Sequence, residues 1–154
     1  MKYLTYTAII SLIAFFTISC KTPKENCASP TTKAPDTEIT TLDQYITSNS
    51  IVASKDDRGF YYIIDNAGDG PKPTVCSTVQ VKYTGKLTNG VTFDQSNGAT
   101  FQLSNLIVGW QQGIPLIAKG GKITLILPPS LGYGNNAVGN IPANSILIFI
   151  IELI

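Results

Sequence analysis

The residue types that carry most enzyme chemistry are scarce in this 154-residue chain. Histidine is absent, which removes every Ser–His, Cys–His and His–metal arrangement. Between Asp69 and Glu152 the sole carboxylate is Asp94, so the middle of the chain cannot supply the paired carboxylates of a glycosidase. Cys20, Cys27 and Cys76 have no zinc-ligand spacing. AKGGK, residues 118–122, lacks the GxxxxGK[ST] spacing of a phosphate loop and reads as a turn. A formal net charge of +1 gives no field that would draw nucleic acid. What remains is mostly aromatic and aliphatic. Trp110, the single tryptophan, lies in LIVGWQQGIPLI, residues 106–117, and Tyr133 in the turn-rich LGYGNN. This inventory suits a folded part that works without a metal.

Those side chains need a scaffold. FYYIID, residues 60–65, is aromatic and β-branched, and a turn-rich stretch follows it. In STVQVKYTG, Val79, Val81 and Tyr83 face one side and Gln80, Lys82 and Thr84 the other. Asn89-Gly90 marks a hairpin from YTGKL to VTFD, in a turn type whose two central residues both need φ > 0. KITLIL puts Ile123, Leu125 and Leu127 on one face, and SILIFIIELI closes the chain as an apolar strand. Ile107, Trp110 and Ile114 share one helical face. Gly109 and Gly113 weaken that helix and Pro115 limits it. One or two turns cannot stand alone, so the helix must be held by the sheet. The expected class is α+β, an antiparallel sheet around one short α-helix.

In this order and spacing, VKYTGKL, NGVTFDQS, LIVGWQQGI, LGYG and IPANSILIFIIEL resemble the FKBP-type peptidyl-prolyl cis-trans isomerases over residues 59–154. The resemblance implies a strongly curved sheet of about five strands wrapped on the helix. It also implies rotation about the bond before proline, which breaks no covalent bond and needs no cofactor. By resemblance, Trp110 is the floor under the proline ring, and Tyr83, Phe93 and Phe149 are aromatic walls. Leu106 and Ile107 are the aliphatic pair before the helix, and the Ile107 N–H binds a ligand carbonyl. Tyr133 bonds the substrate carbonyl, Asp94 with Tyr83 polarises the site, and Ile141 belongs to the flap. Tyr83, Asp94 and Tyr133 thus form the catalytic set. Taken singly, Phe93, Phe149 and Ile107 read equally well as core, and a lone Asp94 as a turn residue. Two positions depart from the family: Ala99 where an aromatic is found, and Asn140 where the flap has an aliphatic. They leave open a non-catalytic module that holds proline segments, and they bear on macrolides such as tacrolimus as ligands.

The N-terminus reads as an address. MKYLTYTAIISLIAFFTISC has one lysine, an apolar run from Ala8 to Phe16, and then Cys20. The run is too short to span a bilayer and has the order of a secretory signal. TISC resembles a bacterial lipoprotein signal, with Thr17 in place of the usual aliphatic. It implies a signal peptide over residues 1–19, lipidation of Cys20 and a membrane partner through the acyl chains. Lys21 implies the outer membrane of a bacterial cell envelope, facing either the periplasm or the outside. Clients would then be proline-containing segments of exported proteins. Residues 20–40, Pro-rich and without large aliphatics before Ile39, read as a flexible tether. The expected reach of residues 21–38 is roughly 60 Å at about 3.3 Å per residue. Residues 41–58 read as a short helical lead-in with capping-box spacing at Thr41 and Gln44. In an oxidising compartment Cys27 and Cys76 either pair or remain free thiols.

Overall fold

The computed structural model describes residues 27–154; Cys20 and the proposed signal segment lie outside them. The chain forms α1 (Asp36–Ser48), β1 (Ser54–Lys55), β2 (Tyr61–Asn66), β3 (Thr78–Leu87), β4 (Thr92–Gln102), α2 (Val108–Gly113), β5 (Lys122–Leu127) and β6 (Leu147–Leu153). Short 3₁₀ turns flank α2 and follow β5. All strands pair antiparallel in one sheet of order β1-β2-β5-β6-β3-β4. The sixth strand beyond the expected five is the two-residue β1 on the outer edge.

The alternation in β6 decides where the cores sit. Leu147, Phe149, Ile151 and Leu153 are buried, while the residues between them are partly exposed. With Val79, Val81, Ile123, Leu125 and Leu127 they form the principal core, which α2 and the 3₁₀ turn after it cap with Trp110 and Ile114. Gly109 and Gly113 are the means of that contact. A methyl on Gly109 would overlap the Leu127 side chain, and one on Gly113 would come within 2.5 Å of Leu125 Cδ2. The two glycines that weaken the helix therefore let its backbone lie against β5. The β3–β4 turn differs from the expected one. Gly90 has positive φ, at 83°, but Asn89 does not. The Gly90 N–H donates to Leu87 O and the Leu87 N–H to Val91 O, a type I turn closed by a glycine.

The other face of the sheet carries a second, smaller core of Leu42, Ile46 and Ile126, with Tyr61 and Ile148 packed against it. Ile126, which breaks the alternation of β5, is buried beneath α1. Lys55 donates to both oxygens of Asp43 at 2.7 Å, and the Tyr61 hydroxyl donates to Asp43 Oδ1 at 3.0 Å. Those bonds tie α1 to β1 and β2.

Two expected boundaries change. The helix begins at Asp36, five residues before the expected Thr41. Its start is Pro35, whose carbonyl accepts from the Glu38 and Ile39 N–H groups, and Asp36 and Glu38 in the first turn suit the helix dipole. Thr41 is mid-helix, with its hydroxyl bonded back to Thr37 O. Residues 27–35, read as part of a tether, lie against the domain. Cys27 is disulfide-bonded to Cys76. Gln112 Nε2 donates to the carbonyls of Pro30 and Thr32 at 3.1 and 2.7 Å. The Ala34 N–H donates to Arg58 O, and Ala34 joins Phe60 in the principal core. The segment lacks apolar bulk of its own, but its backbone is satisfied by a buried glutamine and one end is held covalently.

Candidate functional site

The concave face of the sheet opens beside α2 into a cavity of about 250 Å³. That is just under the roughly 300–1,000 Å³ of pockets for drug-sized ligands. Trp110, 4% exposed, is its floor. Three rings meet the indole edge-on: Tyr83 at 5.1 Å and 83°, Phe149 at 5.2 Å and 88°, and Phe101 at 6.2 Å and 82°. Each comes from a different strand, so the curvature of the sheet, not local sequence, gathers them. T-shaped contacts of this kind put the positive edge of one ring on the negative face of another. They fix the floor without filling the space above it. Leu106 and Ile107 close the side where the chain enters α2.

The polar groups lie at one wall. The Tyr83 hydroxyl donates to Asp94 Oδ2 at 2.6 Å, and Asp94 Oδ1 accepts the Gln95 N–H at 2.9 Å. Burial and the adjacent Asp94 carboxylate push the Tyr83 phenol well above its ordinary 10.0. Tyr133 stands at the rim, 37% exposed, and its phenol is also raised, first by burial and then by the charge of Asp94. Both phenols are therefore neutral O–H groups at neutral pH, one committed to Asp94 and the other facing the cavity mouth. No group of three or more metal-ligating side chains occurs among the described residues. The arrangement offers a flat apolar floor, two neutral hydroxyls and one carboxylate. It can grip an apolar ring and hydrogen-bond an amide carbonyl beside it.

Of the residues expected at the site, the fold brings Tyr83, Asp94, Leu106, Ile107, Trp110, Tyr133 and Phe149 to one cavity. Phe93 is one layer behind, its ring edge-on to Phe149 at 5.5 Å. Ile141 is 6% exposed and packs in the principal core, bridged to Val138; it is not among the cavity's lining residues. Two lining residues were missed, Phe101 and Asn105. The signal for Phe101 was its i, i+2 relation to Ala99 along β4, which puts both on one face of the strand. Asn105, in a turn, carried no such signal. A separate cleft of about 510 Å³ lies between α1, the β3–β4 turn and the loop before β6. It shares no lining residue with the aromatic cavity and contains one carboxylate, Glu38, which already accepts from the Ser130 N–H at 2.9 Å.

Known proteins carry the same architecture. The chain is 50% identical over 106 residues to the FKBP-type peptidyl-prolyl cis-trans isomerase FkpA of Buchnera aphidicola from Schizaphis graminum, covering 66% of this chain and 42% of that protein. It is 43% identical over 100 residues to FkpA of Escherichia coli K12, covering 62% and 37% respectively. The chain thus spans about two-fifths of the length of these relatives. The crystal structure of FkpA from Escherichia coli superposes with a TM-score of 0.70 at 35% identity, over 77% of this chain and 59% of that one. The crystal structure of AtFKBP13 does so at 0.61 and 34%, over 66% and 96%. The sequence pattern that defines FKBP-type peptidyl-prolyl cis-trans isomerases matches residues 70–154, more than half the chain and all of the aromatic cavity: the protein belongs to that family.

Proposed function

We propose that the chain is a peptidyl-prolyl cis-trans isomerase that assists the folding of exported proteins from a lipid anchor at Cys20. The observation that carries the catalytic part is the single cavity that joins the Trp110 floor, the Tyr83–Asp94 pair and the rim hydroxyl of Tyr133. Rotation about an Xaa-Pro bond costs about 18–20 kcal/mol because the planar amide must lose its conjugation. Uncatalysed, the step takes tens of seconds or longer. A site accelerates it by binding the twisted amide better than either planar form. Trp110 and the rings around it seat the pyrrolidine. The amide then leaves water, which favours the less polar twisted state. The Ile107 N–H and the Tyr133 hydroxyl are the donors for carbonyls on either side of the turning bond. Donors fixed before the reaction need no reorganisation as the carbonyl swings. The Tyr83–Asp94 bond holds a negative potential beside the cavity.

The substrates in this reading are proline-containing segments of client polypeptides. Tacrolimus is a candidate ligand of the same cavity, which Phe101 lines and Ala99 does not. The location proposed is the outer membrane of a bacterial cell envelope. Exchange spectroscopy on an Xaa-Pro peptide with the full chain is expected to show accelerated interconversion. Rates equal to buffer, with the peptide still quenching Trp110 fluorescence, would favour a binding module. Mass spectrometry of the mature protein is expected to find an acylated N-terminal Cys20; an unprocessed or unacylated N-terminus would remove the anchor.

A further inference from the structure

We propose that Gln111, on the first turns of α2, is the positioning residue that aims the Ile107 N–H into the cavity. The Gln111 side chain turns back along the chain. Its Nε2 donates to Leu106 O at 2.7 Å and to Ser104 O at 3.1 Å. Leu106 O and the Ile107 N–H belong to one peptide plane. That plane is trans, as are all the described peptide bonds, so the two groups point in opposite directions. A donor that holds the carbonyl on one side therefore fixes where the N–H points on the other. The next plane is fixed as well, because Ile107 O accepts from the Trp110 and Gln111 N–H groups at 2.9 and 3.2 Å. The Ile107 N–H itself donates to no protein acceptor among the described residues, and Leu106 and Ile107 both line the cavity.

The need for such a device follows from the surrounding chain. Leu106 and Ile107 link the 3₁₀ turn Leu103–Asn105 to the helix start, and no strand ladder holds them. Leu106 O lies outside the helical hydrogen bonds of α2 and would otherwise turn to water, carrying the N–H with it. Gln111 replaces a ladder bond with a side-chain amide from the same helix that carries Trp110. The ring floor and the amide donor are thereby built on one rigid unit, which is what a preorganised site requires. The helix is in turn steadied from behind, where the Ser29 hydroxyl donates to Gln111 O at 3.4 Å.

This inference rests on the reading that Ile107 receives a substrate carbonyl, and its test separates the two. Gln111→Met keeps the length of the side chain and removes the donor; Gln111→Glu keeps the shape and offers only acceptors at neutral pH. In the ligand-free full-length chain, both substitutions are expected to move the Leu106 carbonyl ¹³C resonance and the Ile107 amide resonance. The melting temperature is expected to stay near that of the parent. The kcat/KM on an Xaa-Pro peptide should fall about tenfold, and tacrolimus affinity by a similar factor. Gln112→Met, which cuts the bonds to the N-terminal arm but touches neither Ser104 nor Leu106, is the control and should leave the Ile107 resonance in place. Unmoved Leu106 and Ile107 resonances in the Gln111 variants would overturn the assignment. So would displaced resonances with undiminished kcat/KM, or a Gln112→Met variant that moves them equally. A parent chain without isomerase activity would instead overturn the functional reading, and the resonances would still report whether Gln111 orients the peptide.

Discussion

Asp94 is the one charge at the cavity, and its chemistry is set by what it bonds. With the Tyr83 hydroxyl and the Gln95 N–H as donors, it is held in place as a fixed negative potential. Asp94→Ala removes a charged hydrogen-bond acceptor, worth about 1.5–3 kcal/mol, and is expected to lower kcat/KM about 10- to 100-fold. Tyr133→Phe removes a neutral donor, about 0.5–1.5 kcal/mol, and is expected to cost up to about tenfold. Exchange spectroscopy measures both. The pH dependence has a defined sign. The Tyr83 phenol is raised above its ordinary 10.0 in the folded state. Its hydrogen-bonded form therefore stabilises the fold fully below pH 10 and loses that contribution as pH rises past the folded value. Activity should not fall through Tyr83 ionisation between pH 7 and 10. Tyr61 and Tyr133 are raised as well, so absorbance titration at alkaline pH should show one fewer late-titrating phenol in Tyr83→Phe than in the parent. These residues were legible in the sequence because each sits in a short motif. For Phe101 the two-residue spacing from Ala99 gave the face of the strand, but its place over Trp110 depends on the curvature that brings β4 over α2, which no local pattern encodes.

At the scale of elements, α2 is the informative case. Its six residues include two glycines, which propensity counts against a helix by about 1 kcal/mol each. Packing against β5 outweighs that cost. Gly109→Ala should gain helix propensity yet lose stability by about 1–3 kcal/mol, because the added methyl overpacks a core. Leu127, the side chain it meets, is fully buried, so its methyls must shift within the core to admit the new one. Thermal unfolding followed by Trp110 fluorescence measures the balance; a melting temperature at or above the parent's would show that β5 can yield. The strands were readable from their period of two, and the short helix from Ile107, Trp110 and Ile114. The start of α1 was not. Thr41 and Gln44 have the spacing of a cap, but the helix starts a turn and a half earlier, at Asp36, and buries Leu42 and Ile46 against Ile126. The partner, Ile126, lies some eighty residues away, and only the fold reveals that both sheet faces are covered.

For the whole molecule, the disulfide between Cys27 and Cys76 closes a loop of sequence separation 49 that contains α1, β1 and β2. Reduction, or Cys76→Ala, is expected to lower stability by about 2–4 kcal/mol, chiefly through the freedom returned to the unfolded chain. Calorimetry with and without reductant measures it, and equal melting temperatures would contradict it. Composition alone could not show the arm to be docked, since its attachment uses backbone carbonyls and one buried glutamine. Under the anchor proposed at Cys20, that docking sets how far the domain could reach. Had residues 21–38 all been loose, the domain could have ranged roughly 60 Å from a lipidated Cys20. With the chain pinned at Cys27, the covalent leash from Cys20 is about seven residues and spans at most about 25 Å, at about 3.6 Å each. Under the lipid anchor proposed at Cys20, so short a leash would confine the domain to the layer next to the bilayer, and its clients would be polypeptides emerging there.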